Sequence, residues 1–186
     1  MSSISDRPDQ ALLVIDVQTN VVVDAWHRDE VIANINSLIF KAREAGTPVI
    51  WIQHSDDYLE IETDGWQIVS ELRPLADEPN IRKRYRSSFE QTTLEETLAQ
   101  LGVGHLYICG AETDNCVRHT SHAALERGYD VTLVADAHTT SDGPGDSGTL
   151  FASAIVEEQN RSFLNYELPG RSATTVTTGE ISFKTL

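Results

Sequence analysis

Short apolar segments alternate along the chain with longer segments in which apolar residues recur every three or four positions. Segments of the first kind predict buried β-strands, and segments of the second kind predict amphipathic helices. Strands are predicted over residues 11–17, 48–54, 105–110, 131–136 and 174–178. Because this alternation is typical of a parallel sheet covered by helices, we expect an α/β fold, a three-layer α/β/α sandwich with a mostly parallel central sheet.

Four helices are predicted between these strands, and the first two end at glycines. They cover residues 31–45, residues 94–101, the residues after Cys116, and about residues 148–160. A Thr-x-x-Glu pair at 92–95 or 93–96 is expected to form a capping box at the start of the second helix. The glycine-rich segment 142–146 is interpreted as a connector.

Length and charge limit the classes of function. With 186 residues, of which 40% are hydrophobic, the chain suits one domain over residues 1–186, with a polar N-terminal tail over residues 1–10. The sequence has no long apolar run and begins with polar residues, so we expect a cytoplasmic protein with no membrane partner. Its 14 basic and 29 acidic residues give a net charge of −15, which argues against nucleic acid or an anionic membrane as partner.

The chain has two cysteines, which make no disulfide framework and fit a reducing compartment. Cys109 lies within a predicted strand, and Cys116 begins the helix that follows. Cys116 is either a small buried helix residue or a nucleophile, because unpaired N–H groups and the helix dipole favour a thiolate and lower the pKa of the thiol. The same N–H groups could bind the oxyanion that forms when a thiolate attacks a carbonyl.

Two charged residues are candidates to lie near this cysteine, because ligands bind at the carboxyl ends of the strands in an open parallel sheet. Asp16 ends the first strand and is either a helix-capping residue or a site residue. Lys83 belongs to a basic segment, and by itself it is best explained as part of a solvated face.

Four motifs in this order resemble those of the isochorismatase-like cysteine hydrolases, a family that includes nicotinamidases and carbamoylsarcosine amidohydrolases. The motifs are Asp16-Val17-Gln18, Lys83 followed by Ser87-Ser88-Phe89 and Thr92, Gly110-Ala111-Glu112-Thr113-Asp114-Asn115-Cys116-Val117, and Asp136-Ala137-His138-Thr139-Thr140-Ser141. The resemblance extends from residue 11 to about residue 183. It therefore implies a single isochorismatase-like hydrolase domain.

The resemblance implies a catalytic triad of Asp16, Lys83 and Cys116 and a cis peptide bond between Ala111 and Glu112. Asp16 would move protons, Lys83 would hold positive charge, and Cys116 would form a thioester with a small amide-type substrate. The backbone N–H groups of Glu112 and Cys116 would form the oxyanion hole. This reaction requires no cofactor.

The segment after the second strand departs from the metal-using nicotinamidases, which carry an aspartate and two histidines there. It contains His54 and Asp56 without a second histidine, so we expect no metal site, and His54 either binds a cation weakly or is only hydrogen-bonded. Two alternatives stay open. One is a metal-assisted nicotinamidase-type amidase, and the other is a thiol redox protein that uses Cys116 with Cys109 as its partner.

Further residues are candidates for the substrate pocket or for an interface. By resemblance, the pocket candidates are Asn20, Trp66, Tyr85, Phe89 and His138, and ordinary core or interface packing explains each of them at least as well. The basic cluster of Arg82, Arg84 and Arg86 either attracts an anionic substrate or pairs with surplus carboxylates. His119 and His122 are interpreted as packing or surface residues. The family also implies a homo-oligomer, most simply a dimer, with Trp26 and Phe163 as candidates for apolar residues outside the core.

Overall fold

The computed structural model describes residues 3–4, 6–146, 148–164 and 166–184. The strands in chain order are β1 (Asp9–Ile15), β2 (Val49–His54), β3 (Asn80–Lys83), β4 (Val103–Ala111), β5 (Asp130–Thr139), β6 (Gly143–Gly145), β7 (Gly148–Leu150) and β8 (Ala173–Val176). The α-helices are α1 (Arg28–Glu44), α2 (Leu94–Gln100), α3 (Arg118–Glu126) and α4 (Ala152–Leu164). A π-helical turn at Thr113–Val117 precedes α3, and a 3₁₀ turn at Thr178–Glu180 follows β8.

Six strands form the central sheet in the order β3-β2-β1-β4-β5-β8, and each neighbouring pair runs parallel. Helices cover both faces, so the predicted three-layer α/β fold is confirmed. From β1 the chain extends through β2 and β3 to one side, whereas β4, β5 and β8 lie on the other. A crevice forms outside the carboxyl ends of the two strands where such an order reverses, and here these are β1 and β4.

The central strand β1 supplies both hydrophobic layers. Leu12 and Val14 belong to the cluster that includes the buried face of α1, while Ala11, Leu13 and Ile15 belong to the cluster that includes α2 and α3. Successive side chains of a strand point to opposite faces. Since all five are buried, β1 is anchored on both sides, and the backbone at its end is held firmly.

Several predicted elements are found with shifted ends, and three short strands were not predicted. β1 spans residues 9–15 rather than 11–17, β5 continues to Thr139, and α4 spans residues 152–164 rather than 148–160. β3 was missed because its four residues include one apolar side chain, Ile81, which is too few for a pattern. In the predicted connector, β6 pairs antiparallel with β7.

The helix ends also differ from expectation. The predicted capping box of α2 is absent, because Thr93 at the N-cap makes no side-chain cap hydrogen bond. Thr92 instead donates its hydroxyl hydrogen to the Ser88 carbonyl oxygen. A capping box is found at the 3₁₀ turn, between Thr177 and Glu180. Within the described residues, none of the helices combines the length and the apolar character that crossing a membrane requires.

Candidate active site

Asp16 lies directly after β1, at the crevice. Its backbone has a positive φ of 49°, a left-handed conformation that Asp tolerates better than most residues. Its N–H donates to the Ile52 carbonyl oxygen at 3.0 Å, which extends the pairing with β2 by one residue, and its own carbonyl accepts the N–H of Gln18 at 2.8 Å. The side chain is 1% exposed. The turn therefore holds a carboxylate in a buried position at the strand end.

The end of β4 lies close beside β1 because of Gly110. This residue has a φ of 118°, and a Cβ atom added to it would lie 2.0 Å from the Ile15 carbonyl oxygen. Only glycine fits such an approach without movement of the backbone. The next peptide bond, between Ala111 and Glu112, is cis.

Cys116 lies in the π-helical turn rather than in a regular first α-helical turn. The Glu112 carbonyl oxygen accepts the N–H groups of Asn115 and Val117, both at 3.1 Å, and the second of these bonds spans five residues. π-Helical turns are rare and occur frequently at functional sites. α3 then continues directly from the turn, so Cys116 lies next to the helix start, as the sequence indicated.

Lys83 is the last residue of β3, and its ammonium group lies between the other two candidates. Nζ is 2.6 Å from Asp16 Oδ2 and donates to Cys116 Sγ at 3.1 Å. It also donates to the Tyr85 carbonyl oxygen at 3.2 Å. The side chains of Lys83 and Asp16 are 0% and 1% exposed. The structure thus brings Asp16, Lys83 and Cys116 together from three different strand ends.

Burial decides the protonation of the thiol. Removal from water, together with the neighbouring Asp16 carboxylate, raises the pKa of Cys116 to about 12, although the Lys83 ammonium acts in the opposite direction. Burial lowers the pKa of Lys83, but Asp16 and Cys116 raise it, and the net pKa lies above its ordinary value. The expectation of a lowered pKa for Cys116 is therefore wrong, because burial and the Asp16 carboxylate outweigh the Lys83 ammonium group.

The motif that follows Lys83 connects its segment to the catalytic helix. Ser88 donates its backbone N–H to Thr120 Oγ1 at 3.0 Å, and the two hydroxyl groups lie 2.9 Å apart. Thr120 lies on α3, about one turn after Cys116. Both side chains are buried, so these bonds hold β3 and the start of α3 in a constant relative position.

The end of β5 holds the π-helical turn from the other side. His138 Nδ1 lies 2.9 Å from Thr113 Oγ1, and its Nε2 lies 2.9 Å from Asn160 Oδ1. Thr140 donates its hydroxyl hydrogen to Asp114 at 2.8 Å. Burial lowers the pKa of His138 to about 4, so the ring stays neutral and hydrogen-bonded on both sides. These residues of the fourth motif support the backbone that carries Cys116.

A cavity of about 230 Å³ lies beside the thiol. Its lining residues are Asp16, Val21, His54, Asp56, Arg86, Glu112, Asn115 and Cys116. Asn115 donates its side-chain N–H to the Glu112 carboxylate at 2.8 Å, which fixes one wall. The volume is suited to a small molecule, and the walls carry both acidic and basic groups.

The sequence matches the Isochorismatase domain over residues 10–158. The chain belongs to the isochorismatase family. The resemblance inferred from the four motifs is thus confirmed. The matched region contains the whole of α3 as well as Asp16, Lys83 and Cys116.

Curated relatives and solved structures of the isochorismatase family resemble this chain over most of its length. Two streptothricin hydrolases from Streptomyces noursei are 36% identical over 157 residues and 37% identical over 141 residues. These alignments cover 79% and 73% of this chain but only 62% and 51% of those proteins. A ureidoacrylate amidohydrolase from Cronobacter sakazakii is 28% identical over 180 residues, covering 74% of this chain and 77% of that protein. A solved isochorismatase from Pseudomonas putida KT2440 has a TM-score of 0.86 at 29% identity, covering 92% of this chain and 89% of that one.

The five pocket candidates lie elsewhere than the walls of the cavity beside Cys116. Phe89 is buried in the core, where its ring centroid lies 5.9 Å from that of Tyr129, and His138 supports the π-helical turn. Asn20 is exposed and its backbone N–H bonds to Gly65. Trp66 is 6% exposed, and its carbonyl oxygen accepts side-chain N–H groups of Gln18 and Gln53. Tyr85 is exposed and contributes its carbonyl oxygen to Lys83.

The three arginines of the basic cluster have three different environments. Arg82 lies over the Trp66 ring at 5.3 Å, and Arg84 is paired with Asp57 at 3.4 Å on the surface. Arg86 lines the cavity beside Cys116. Arg82 and Arg84 line another cavity, of about 240 Å³, together with Lys83 and Tyr85, so the cluster is divided between two cavities.

His54 lines the cavity beside Cys116, and the sequence left its role open. Its Nδ1 lies 3.3 Å from Lys83 Nζ, and its Nε2 lies 3.1 Å from Asp56 Oδ2. The described part of the chain contains no group of three or more His, Cys, Asp or Glu side chains that could hold a metal ion. The signal for His54 was its place at the end of β2, next to the strand that carries Asp16.

Two further histidines, His119 and His122, and the second cysteine, Cys109, have contacts of their own outside the group of Asp16, Lys83 and Cys116. His119 Nδ1 lies 2.7 Å from the Asn115 carbonyl oxygen, and His122 packs edge-on against Phe163. Cys109 is fully buried within β4, its S–H donates to the Leu13 carbonyl oxygen at 3.4 Å, and burial raises its pKa. Both cysteines are free thiols. A buried thiol held within a strand is poorly placed for disulfide exchange with Cys116.

Proposed function

We propose that this chain is a cysteine hydrolase that cleaves an amide-type C–N bond of a small molecule through a thioester on Cys116, with Asp16 and Lys83 completing the triad. The observation that carries the proposal is the position of Lys83 Nζ, 2.6 Å from Asp16 Oδ2 and 3.1 Å from Cys116 Sγ. One buried ammonium group thus joins a carboxylate and a thiol beside a small cavity. The names of two relatives, streptothricin hydrolase and ureidoacrylate amidohydrolase, support the class of reaction.

The first half-reaction forms the thioester. Because the pKa of Cys116 is about 12, the thiol is protonated near neutral pH and must lose its proton as sulfur attacks the carbonyl carbon. Asp16 accepts this proton, and Lys83 stabilises the negative charge shared by carboxylate and sulfur. The C–N bond then breaks, and Asp16 returns the proton to the leaving amine or ammonia.

The second half-reaction hydrolyses the thioester. A water molecule transfers a proton to Asp16 and attacks the carbonyl carbon, the C–S bond breaks, and the sulfur of Cys116 regains the proton. The sum is amide plus water giving carboxylic acid plus amine. In both halves the backbone N–H groups of Glu112 and Cys116 bind the oxyanion, since a turn held by Thr113, Asp114 and Asn115 keeps donors fixed while charge develops.

We further propose a cytoplasmic homo-oligomer, most simply a dimer. The two free thiols fit a reducing compartment. Trp26 is 36% exposed and is suited to an interface, whereas Phe163 is fully buried in the core and cannot contribute to one. Light scattering at micromolar concentration would contradict the dimer if it gave a mass near 20.6 kDa.

The proposed chemistry is tested by screening small amides, ureides and lactams for release of ammonia or amine. Cys116→Ser should abolish release, while Cys109→Ser provides the matched control because it changes the other buried thiol. Intact-mass measurement of acid-quenched enzyme should find the acyl group in the wild type and in Cys109→Ser. Equal loss of activity in both variants, with both folded, would show that the wrong thiol has been assigned.

A further inference from the structure

The Lys83 ammonium has more acceptors around it than hydrogens to donate. Nζ lies 2.6 Å from Asp16 Oδ2, 3.1 Å from Cys116 Sγ, 3.2 Å from the Tyr85 carbonyl oxygen and 3.3 Å from His54 Nδ1. An ammonium group carries three N–H bonds. Only three of the four acceptors can therefore be bonded at one time, and one of them is spare.

The His54 ring is held so that it can only accept from Lys83. Its Nε2 lies 3.1 Å from Asp56 Oδ2, and an ionised carboxylate has no hydrogen to donate, so Nε2 carries the ring hydrogen of the neutral imidazole. Nδ1 then presents its lone pair to the ammonium group. Asp56 is itself oriented, because its Oδ1 accepts the backbone N–H groups of Tyr58 at 2.8 Å and Leu59 at 2.9 Å.

The backbone of His54 is fixed as well. The Gln18 side-chain amide accepts the His54 N–H at 2.8 Å through Oε1 and donates to the His54 carbonyl oxygen at 3.0 Å through Nε2. Gln18 is fully buried and lies two residues after Asp16. The same segment therefore positions the carboxylate and the histidine on two sides of the Lys83 ammonium.

We propose, resting on the function proposed above, that His54 is a positioning residue that takes the third N–H of Lys83 when Cys116 is acylated. In the free enzyme the sulfur of Cys116 accepts this N–H, and as its proton moves to Asp16 during attack the sulfur gains negative charge and becomes a strong acceptor. In the acyl-enzyme the sulfur is bonded to two carbons, carries no charge and is only a weak acceptor. In the acyl-enzyme the N–H turns to His54 Nδ1, so that Lys83 keeps three partners and its place beside Asp16.

Loss of His54 is expected to slow the second half-reaction, deacylation, more than the first. Without His54, the acyl-enzyme has either an unpaired N–H in a buried site or a second N–H directed at Asp16, which weakens that carboxylate as the base for water. Acylation does not meet this problem, because the sulfur is then losing its proton and accepts this N–H with a developing negative charge. Loss of His54 is therefore expected to slow deacylation about tenfold or more, the effect of one hydrogen bond to a charged group.

The test uses para-nitrophenyl acetate as the acyl donor, with wild type, His54→Ala, His54→Asn and Asp56→Asn. Release of para-nitrophenolate is followed, and intact mass after acid quenching gives the fraction of enzyme that carries one acetyl group. Asn in place of His54 keeps a polar oxygen close to the position of Nδ1. Asp57→Asn is the matched control, because it removes the neighbouring carboxylate, which is 92% exposed and paired with Arg84. Alkylation by iodoacetamide reports the thiol of the free enzyme.

We expect acetyl-enzyme to accumulate in His54→Ala and Asp56→Asn, less so in His54→Asn, and not in Asp57→Asn, while alkylation of Cys116 stays near the wild-type rate. The same acetylated fraction in wild type, His54→Ala and Asp56→Asn would overturn the inference. Equal slowing of acylation and deacylation would also overturn it, since that indicates general damage to the site. If the wild type is never acetylated on Cys116, the proposed thioester mechanism itself fails, and His54 has no such role.

Discussion

Two of the cavities at the carboxyl-end edge of the sheet are each lined by a buried titratable side chain, and the two side chains are held in different ways. The smaller cavity, of about 230 Å³, is lined by Asp16 and by the protonated thiol of Cys116, and Asp16 is paired with the Lys83 ammonium group. In the larger, of about 420 Å³, His138 is neutral, and both ring nitrogens have fixed partners. The larger cavity is thus lined by a saturated network, while the smaller one contains groups that can exchange protons. Under the proposed function, we expect reactivity to depend on surplus acceptors and shared protons rather than on cavity size.

The largest expected difference in activity is between variants that replace the carboxylate in one or the other of the two cavities. Asp16→Asn removes the proposed base and should lower kcat/KM by about 100-fold to 10,000-fold. Asp136→Asn is the matched control at the larger cavity, where Asp136 accepts the N–H and hydroxyl of Thr178 at 2.7 and 2.8 Å. It should lose stability and keep most activity. Steady-state kinetics with any cleaved amide decides this, and comparable losses of kcat/KM in the two variants would remove the distinction between the cavities.

Breaking the charged pair of Asp16 and Lys83 should also have a large effect on the free energy of unfolding. Lys83→Met leaves the Asp16 carboxylate buried without its partner, and breaking a buried pair in this way costs about 3–5 kcal/mol in the free energy of unfolding. The double variant, with Asp16→Asn added, should regain a large part of that loss because no uncompensated charge is left. Urea unfolding of the wild type, both single variants and the double variant gives the coupling energy between the two side chains. Strictly additive losses would indicate that the two side chains do not form a pair in solution.

His138 should make stability depend on pH in a way that the charged pair does not. Its pKa is about 4 in the folded chain, against about 6.5 in an unfolded chain. A histidine with a lowered folded pKa contributes fully above pH 6.5, and this contribution is lost as the pH falls toward 4, because the unfolded chain binds the proton first. The loss reaches about 3 kcal/mol at pH 4.

The measurement is the pH dependence of the unfolding free energy in wild type and in His138→Leu. The variant should be less stable at pH 7, since Thr113 and Asn160 lose their partner, but its stability should fall less between pH 6.5 and 4. His27→Leu is the control, because His27 lines the same cavity and is 53% exposed in its side chain. If the curves of unfolding free energy against pH were parallel for wild type and His138→Leu, His138 would bind its proton equally well in the folded and the unfolded chain, which would contradict the prediction.

The smallest effect is expected from chelators. We predict that dialysis against a strong chelator leaves amide hydrolysis unchanged, because thiol attack uses the Lys83 charge rather than a Lewis acid. His54 and Asp56 bond to each other, and the described residues contain no third potential ligand grouped with them. If activity were lost on chelation and restored by zinc, iron or manganese, the protein would be a metal-assisted amidase and this prediction would be wrong.

The sequence was a good guide wherever the chemistry depends on position along a strand. Asp16, Lys83 and Cys116 were identified as candidates through their motifs, and each follows or ends a strand of the parallel sheet. It was a poor guide to the walls of the cavity. Phe89, an expected pocket residue, packs in the core, and Arg86 rather than the whole basic cluster lines the cavity. Side-chain environments of this kind depend on which segments meet, and periodicity does not carry that information.

The sequence by itself determined the alternation of strands and helices and the family. It also determined the three candidate residues at one edge of the sheet, Asp16, Lys83 and Cys116. These follow from apolar periodicity and from short motifs, which are local properties of the chain. Only the tertiary structure decided the rest. The pKa of Cys116 is raised rather than lowered, His54 becomes a fourth acceptor for Lys83, and His138 bonds to Thr113 and so supports the π-helical turn. Each of these depends on burial and on distances of about 3 Å between residues far apart in sequence, the range over which hydrogen bonds form.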